Sequence, residues 1–218
     1  MFVGHFAVAL AAKRASPELS LPVLFAAVQF ADILWPVLVL AGVEHSRIVP
    51  GLMEASALDL QDIGYSHSLV TSLVWSALFA APYLAKRRVR DAALVAGCVF
   101  SHYVLDVLTH RPDMPLTPGS DVRWGFGLWN HVIAAVAIES LLFFAGVALY
   151  VQGTRATGRM GTIGLGALIV VLCGTWLSGV FGPPPPNIQV VTLSVLVMIP
   201  ILLVWAWAID RARLPAGS

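Results

Sequence analysis

The sequence predicts an all-α protein, a polytopic transmembrane helical bundle of about six spans with a short, half-inserted helix at its N-terminus. Three observations lead to this fold class: 58% of the 218 residues are hydrophobic, only 11% are charged, and the mean hydropathy is +0.84. A soluble domain carries about 25% charged residues and needs polar cover for much of its surface. The composition therefore excludes an ordinary soluble enzyme. The formal net charge of +1 gives no reason to expect nucleic-acid binding.

Long apolar runs predict the individual spans, because a helix needs about 20 such residues to cross a bilayer. In chain order these runs are residues 21–42, 68–85, 92–108, 128–151, 163–181 and 190–209. Ahead of them lies a shorter run, residues 2–12, which Lys13 and Arg14 follow at once. This run is too short to span, and its charges follow the apolar part instead of preceding it as in a signal peptide. It predicts the partly inserted helix.

Basic residues in the short loops predict the orientation of the bundle. Four basic groups fall on one side of a six-span bundle, which is then the cytoplasmic side: 13–14, 86–90, 155–159 and 211–213. The opposite side receives the acidic segment 44–66 and the loop 111–127. We therefore expect a multi-pass protein of the bacterial inner membrane, with the lipid bilayer as its surroundings. The sequence does not indicate an oligomeric state.

The chain is expected to form one integral membrane domain with two unequal parts. Residues 1–151 contain the polar residues that carry chemistry. Residues 152–218 are expected to form two C-terminal transmembrane helices without polar site residues, since no Asp, Glu, His, Lys or Arg lies between position 163 and Asp210. Cys98 and Cys173 lie in apolar runs and are interpreted as small core residues.

Ionisable residues inside the predicted spans are the candidate functional residues, because burying them in a bilayer is costly. At about 1.5 Å per residue from the cytoplasmic boundary, their heights are about 12 Å for His5, about 18 Å for Asp32, His102 and Glu139, about 24 Å for Asp106, and about 30 Å for His67, His110 and His131. Residues from five segments can therefore meet in the outward half of a membrane core of about 30 Å.

The spacing of three of these residues indicates a metal site. His102, Asp106 and His110 are each four positions apart, so they share one face of a helix. Imidazole and carboxylate groups at this spacing are typical ligands of a divalent ion, which also offsets the cost of burying carboxylates. The alternative is a purely structural network of buried polar groups.

Some of these residues also have individual structural alternatives. The alternative for each of them is an interfacial, snorkelling or backbone-satisfying side chain that takes no part in a site. These residues are His5, Asp32, His131 and Glu139. Glu44 and His45 are expected to lie in a solvated loop.

Five short motifs resemble the bacterial family of predicted membrane-bound metal-dependent hydrolases. They occur in the family's order over about residues 1–150: Gly4-His5-Phe6, Phe30-Ala31-Asp32-Ile33-Leu34-Trp35-Pro36, Tyr65-Ser66-His67-Ser68, Ser101-His102 with Asp106, and Thr109-His110-Arg111-Pro112-Asp113-Met114-Pro115-Leu116. The resemblance implies a metal-dependent hydrolase of the inner membrane.

The order His67, then His102-x-x-x-Asp106, is also similar to zinc-dependent phospholipase C and the related nucleases, in which such residues bind zinc ions that activate water against a phosphodiester. Those enzymes are soluble and have further His and Glu ligands on another helix. Here His131 and Glu139 are eight positions apart instead of four.

These observations predict the site and its function. The expected cofactor is a divalent metal, and zinc is the first choice. Its expected ligands are Asp32, His67, His102 and Asp106, with His5 as a fifth. General acid or base catalysis, or orientation of the ligands, is expected from three further residues: His110, Glu139 and Asp113. The expected substrate is a lipid or a lipid-linked phosphate ester at the outer half of the membrane.

A metal-ion or proton transporter that uses the same residues is the alternative function. Two features of the sequence weigh against it. Neither an inverted repeat nor a broken-helix pair is visible, and the cytoplasmic halves of these spans lack ionisable residues.

Overall fold

The computed structural model describes residues 1–217 and is mostly helical, with 67% helix and 9% strand. The helices of this described part are α1 (Val3–Ala15), α2 (Leu21–Val28), α3 (Phe30–Leu40), α4 (Gly64–His67), α5 (Leu69–Ala85), α6 (Val89–Thr109), α7 (Val132–Gly153), α8 (Leu165–Phe181) and α9 (Ile188–Arg211). A 3-10 turn, Leu128–Asn130, precedes α7, and a π turn, Met160–Gly164, leads into α8.

Short antiparallel strand pairs join the helix ends. The strands are β1 (His45–Ile48) with β2 (Leu58–Asp62), β3 (Met114–Pro115) with β4 (Arg123–Trp124), and β5 (Thr154–Ala156) with β6 (Arg213–Pro215). The β1–β2 hairpin lies at the end of the bundle where α3 finishes and α4 begins. It forms a cap there, because buried Asp59 on β2 pairs with Arg47 of β1 at 2.7 Å and also with Arg111, just beyond α6.

Four helices of the described chain are long and apolar enough to cross a membrane: α6 with 21 residues, α7 with 22, the continuous stretch Met160–Phe181 with 22, and α9 with 24. The bent pair α2 and α3 makes a fifth span if it is counted as one, and α5 is a shorter apolar helix of 17 residues. The structure therefore has the apolar helices of a membrane protein, but the predicted number of about six spans is not confirmed.

The predicted span over residues 21–42 is broken. Its two helices meet at Gln29 with a bend of 53°, whereas Pro36 lies inside α3. The expectation that no broken-helix pair exists is therefore wrong. The physical reason lies in a tertiary contact, because the Val28 carbonyl at the end of α2 accepts a hydrogen bond from the His102 side chain at 2.7 Å.

The short N-terminal helix α1 lies in the middle of the bundle. His5, Phe6 and Leu10 are all buried, and the Phe6 ring meets Phe25 of α2 edge-on with ring centroids 5.0 Å apart. On α7, a Cβ at Gly146 would lie 2.5 Å from the Ala7 carbonyl oxygen, so this glycine allows the two helices to approach closely. The helix thus carries His5 into the interior.

The opposite end of α1 is fixed by a buried ion pair. Lys13 Nζ lies 2.7 Å from Asp210 Oδ1 at the end of α9 and also donates to the Leu19 carbonyl at 2.8 Å. Because both ends of α1 are held, its first turn has a defined height in the bundle.

Candidate metal centre

Five side chains from four helices converge below the β1–β2 cap. They form two overlapping groups whose ligating atoms lie within 4.8 Å of one another. The groups are His5–His102–Asp106 and Asp32–His67–His102. All five residues expected to be metal ligands belong to these groups. The arrangement can hold a metal ion, since imidazole nitrogen and carboxylate oxygen both bind divalent metals.

Asp106 lies between the two groups. Its Oδ1 is 3.2 Å from His5 Nε2 and 2.5 Å from the amino group of Met1, which donates to it. Its Oδ2 is 3.1 Å from His102 Nε2 and 3.8 Å from His67 Nε2. This buried carboxylate is therefore surrounded by nitrogen atoms and attracts positive charge to the centre of the cluster.

The hydrogen bonds of His102 identify its free nitrogen. Its Nδ1 lies 2.7 Å from the Val28 carbonyl oxygen, which can only accept. Nδ1 therefore carries the proton. In the neutral ring, Nε2 then presents a lone pair to Asp106 and Asp32, whose nearest oxygens are 3.1 and 3.7 Å away.

A chain of hydrogen bonds likewise identifies the free ring nitrogen of His67. Glu44 is buried, accepts from the Ser66 hydroxyl at 2.6 Å, and also accepts from the Tyr65 and Ser66 backbone N–H groups at 2.8 Å. Since the single hydroxyl proton of Ser66 goes to Glu44, the Ser66 oxygen accepts from His67 Nδ1 at 2.7 Å. The free nitrogen of His67 is therefore Nε2, which faces the cluster.

The two free nitrogens provide the clearest sign of a cation site. His67 Nε2 and His102 Nε2 lie 3.3 Å apart. If neither carries a proton, their lone pairs face each other across that gap, and Asp32 Oδ1 lies 3.6 Å from the first and 3.7 Å from the second. Such an arrangement is repulsive in a buried site unless a positive charge is shared among the three groups. The donor set therefore fits a divalent ion.

His5 adds a further unsatisfied group. Neither ring nitrogen of this fully buried side chain has a hydrogen-bond partner among residues 1–217. Its Nε2 comes within 3.2 Å of Asp106 without hydrogen-bond alignment, and its ring stacks on His102 at a centroid distance of 3.9 Å. A buried imidazole without partners is costly, and coordination of a metal would satisfy it.

A cavity of about 180 Å³ opens beside the cluster. Asp32, His67 and Asp106 line it together with apolar residues of α9, such as Val195 and Met198. The C-terminal part of the chain was expected to contribute nothing polar, and in this cavity it supplies an apolar wall. Asp32 is the most accessible of the five side chains, with 30% of its side-chain surface exposed.

His110 lies at the edge of this cavity, at the end of α6. Its Nε2 is 3.9 Å from Asp106 Oδ1, its Nδ1 is 3.2 Å from Asp113 Oδ1, and the Trp129 ring packs against it at 4.4 Å. Asp113 also lies 3.4 Å from Arg111, which links it to the cap. Of the three residues expected to act as acid or base or to orient the ligands, His110 and Asp113 therefore lie next to the cluster.

Two other candidates lie outside the two ligand groups. Glu139 is buried, accepts from the Phe2 backbone N–H at 3.0 Å, and faces a second cavity. His131 is exposed at the start of α7 and belongs to neither group. The rise per residue predicts a suitable height for both, but a height does not determine the side of the helix on which a residue lies.

Several supporting residues lie in surroundings that the sequence does not predict. Glu44 was expected in solvent and is 1% exposed, whereas His45 beside it is exposed as expected. The small residue Gly4 was expected to let a neighbouring helix approach, but a Cβ there would meet the side chain of Met1. The only sequence signal for the contact between Ser66 and His67 is that the two residues are neighbours in the Tyr65-Ser66-His67 motif.

Comparison with protein-family models, with curated proteins and with solved structures finds no match to this chain. The likeness of its motifs to membrane-bound metal-dependent hydrolases therefore stays a prediction.

His5→Ala should behave like the loss of a metal ligand. We expect its divalent-metal affinity to fall by at least about 10-fold, since even indirect partners of a metal contribute 10–100-fold. Metal content of the purified protein by mass spectrometry measures this. The control is His45→Ala, whose side chain is 62% exposed on β1. Equal metal content and equal melting temperatures in the two variants would show that α1 is only a structural helix.

Glu44→Gln should weaken the metal site without touching a ligand. Its amide can donate to Ser66 Oγ, which frees the Ser66 proton for His67 Nδ1 and so favours the wrong tautomer. We expect metal affinity to fall by about 10–100-fold. Isothermal titration with Zn²⁺ measures it, with the exposed cap residue Asp62→Asn as the control. Unchanged metal affinity in Glu44→Gln would mean that the hydrogen bonds from Glu44 through Ser66 do not set the tautomer of His67.

Proposed function

We propose that this protein is a membrane-embedded, divalent-metal-dependent hydrolase that acts on a lipid or lipid-linked phosphate ester. The observation that carries the proposal is the pair of opposed Nε2 atoms of His67 and His102, 3.3 Å apart, with two carboxylates beside them at the edge of a cavity. The carboxylates of Asp32 and Asp106 supply negative charge for a divalent ion, and the imidazoles supply nitrogen ligands without adding charge. Zinc is the metal that this donor set favours.

The ligands would be His5, Asp32, His67, His102 and Asp106. A divalent ion held there would lower the pKa of a water molecule toward about 7 and polarise a phosphate ester. Asp32, as the most exposed of the five, faces the side from which substrate arrives.

His110 is the proposed general acid or base. Asp113 faces its Nδ1 at 3.2 Å and Trp129 packs on its ring, so the Nε2 atom is directed toward the cluster and the cavity. A proton held at Nε2 can pass to a leaving oxygen, or be taken up from an attacking one, at the mouth of the site. Glu139 faces the second cavity and is a weaker candidate for this role.

The location in the inner membrane and the six-span topology belong to this proposal. The bent pair α2 and α3 would count as one span, and the shorter helix α5 as another. The basic loops would then face the cytoplasm, and the cluster would lie in the outer half of the bilayer. A lipid substrate fits a site at that depth.

A metal-ion or proton transporter is the second candidate, because the broken span α2–α3 lies at the cluster and such breaks are typical of transporter sites. The packing below the cluster favours the hydrolase. Phe6, Leu10, Phe25, Val95 and Val99 fill the bundle between the cluster and the Lys13 end, and none is more than 5% exposed. A transit site needs access from both sides, and this packing closes one of them.

The test compares hydrolysis and metal binding in the same set of variants. Zn²⁺-loaded protein in vesicles should release phosphate-containing products from phospholipid or from bis(p-nitrophenyl) phosphate. His67→Ala should lose both metal and activity, whereas His110→Ala should keep metal and lose about 10²–10⁴-fold in rate. His45→Ala is the control and should keep both. Failure of the loaded protein to hydrolyse either ester, together with Zn²⁺ flux across the vesicles, would establish the transporter instead.

A further inference from the structure

A second cavity, of about 260 Å³, lies next to the cluster cavity. The two share four lining residues: Phe2, Leu58, Trp129 and Val191. The cluster cavity contains the ionisable side chains Asp32, His67, Asp106 and His110, whereas Glu139 is the only ionisable residue of the second. The pair of cavities is therefore polar at one end and largely apolar at the other.

We infer that the second cavity binds an acyl chain of a membrane phospholipid whose phosphate ester lies in the cluster cavity. This inference rests on the proposed function and specifies its substrate class. Together the two volumes fall within the range of about 300–1,000 Å³ that is usual for small-molecule sites. A water-soluble phosphodiester would leave the apolar walls of the second cavity without a partner.

The walls of the second cavity match a hydrocarbon chain. Trp176 and Val180 of α8 and Val191 of α9 form one side, and Ile48 and Ala57 of the cap form the other. Burial of apolar surface favours a chain over water by about 25 cal/mol per Å². The one carboxylate on the wall, Glu139, already accepts from the Phe2 N–H at 3.0 Å, so a chain does not isolate it.

The cavity opens toward the part of the surface that a bilayer would cover. Thr175 and Gly179 line it and are exposed on α8. On the two helices that line this cavity, the apolar side chains Phe181 of α8 and Leu193 of α9 are 67% and 54% exposed. Both helices are long and apolar enough to span. A chain can therefore move sideways from the bilayer between α8 and α9 without crossing water.

Two glycines of α8 allow a matched test. A Cβ at Gly179 or at Gly174 would meet nothing within 4 Å, so both positions accept a side chain. Gly179 lines the cavity, whereas Gly174 is exposed on the same helix and does not line it. Gly179→Leu should fill the opening, and Gly174→Leu should leave it clear. Both substitutions raise helix propensity by a similar amount.

The probe is a phosphatidylglycerol with a photoactivatable diazirine at the end of one acyl chain, mixed into phosphatidylcholine vesicles that contain the protein. Trp176 is only 7% exposed, so an adduct on it requires a chain inside the cavity. Val170, 70% exposed on α8, reports labelling by the surrounding bilayer and serves as the internal standard. Adducts are located by peptide mass spectrometry.

Wild type and Gly174→Leu should both be labelled at Trp176. In Gly179→Leu the ratio of Trp176 to Val170 adducts should fall by about 10-fold, the effect of displacing about two methylene groups. Gly179→Ala, a smaller change, should give a smaller fall. Labelling of Val170 alone in the wild type, or an unchanged ratio in Gly179→Leu, would overturn the inference.

The metal-site variant His67→Ala separates this inference from the proposed function. The acyl chain does not touch the ligands, so His67→Ala should be labelled at Trp176 like the wild type. Labelling without any hydrolysis by the loaded wild type would overturn the hydrolase and leave the lipid site. Hydrolysis of the soluble ester without labelling would overturn the lipid site and leave the hydrolase.

Discussion

The 3.3 Å separation between His67 Nε2 and His102 Nε2 is the constraint on which the rest of the structure depends. Each imidazole holds its own proton on the far side, one against the Val28 carbonyl and one against Ser66. If neither Nε2 atom carries a proton, two lone pairs so close together in a buried site are repulsive unless a positive charge lies between them. The carboxylate of Asp106, 3.1 Å from His102 Nε2, adds negative charge at the same place. A divalent ion bound there would interact favourably with all of these groups.

The surrounding fold fixes the directions of these nitrogens. The break at Gln29 directs the Val28 carbonyl at His102, and the β1–β2 cap covers the site on the side of α4. Glu44 is held inside by three hydrogen bonds, two of them from backbone N–H groups of the turn that carries His67. The buried Lys13–Asp210 pair anchors α1 at its other end. Each of these features uses a polar contact inside an otherwise apolar bundle, where such contacts are costly unless paired.

Much of the fold and of the cluster could be predicted because both follow from local patterns. Apolar runs identify spans, and a spacing of four places His102 and Asp106 on one helix face. The bend at Gln29 could not be predicted, since neither glycine nor proline marks it and a distant side chain takes the carbonyl. The burial of Glu44 depends on a hairpin that closes over it. The rise per residue predicts a height for Glu139, but the direction in which its side chain points depends on how α7 packs against α1.

X-ray absorption spectroscopy of the zinc-loaded protein tests the central claim most directly. A buried cluster that binds zinc through histidine and carboxylate predicts nitrogen and oxygen scatterers at about 2.0–2.2 Å, with the outer-shell signal of at least two imidazole rings. His102→Ala removes the residue that both groups share, so it should lose that imidazole signal or the zinc itself. A spectrum of zinc bound by oxygen alone, the same in the wild type and in His102→Ala, would contradict the account.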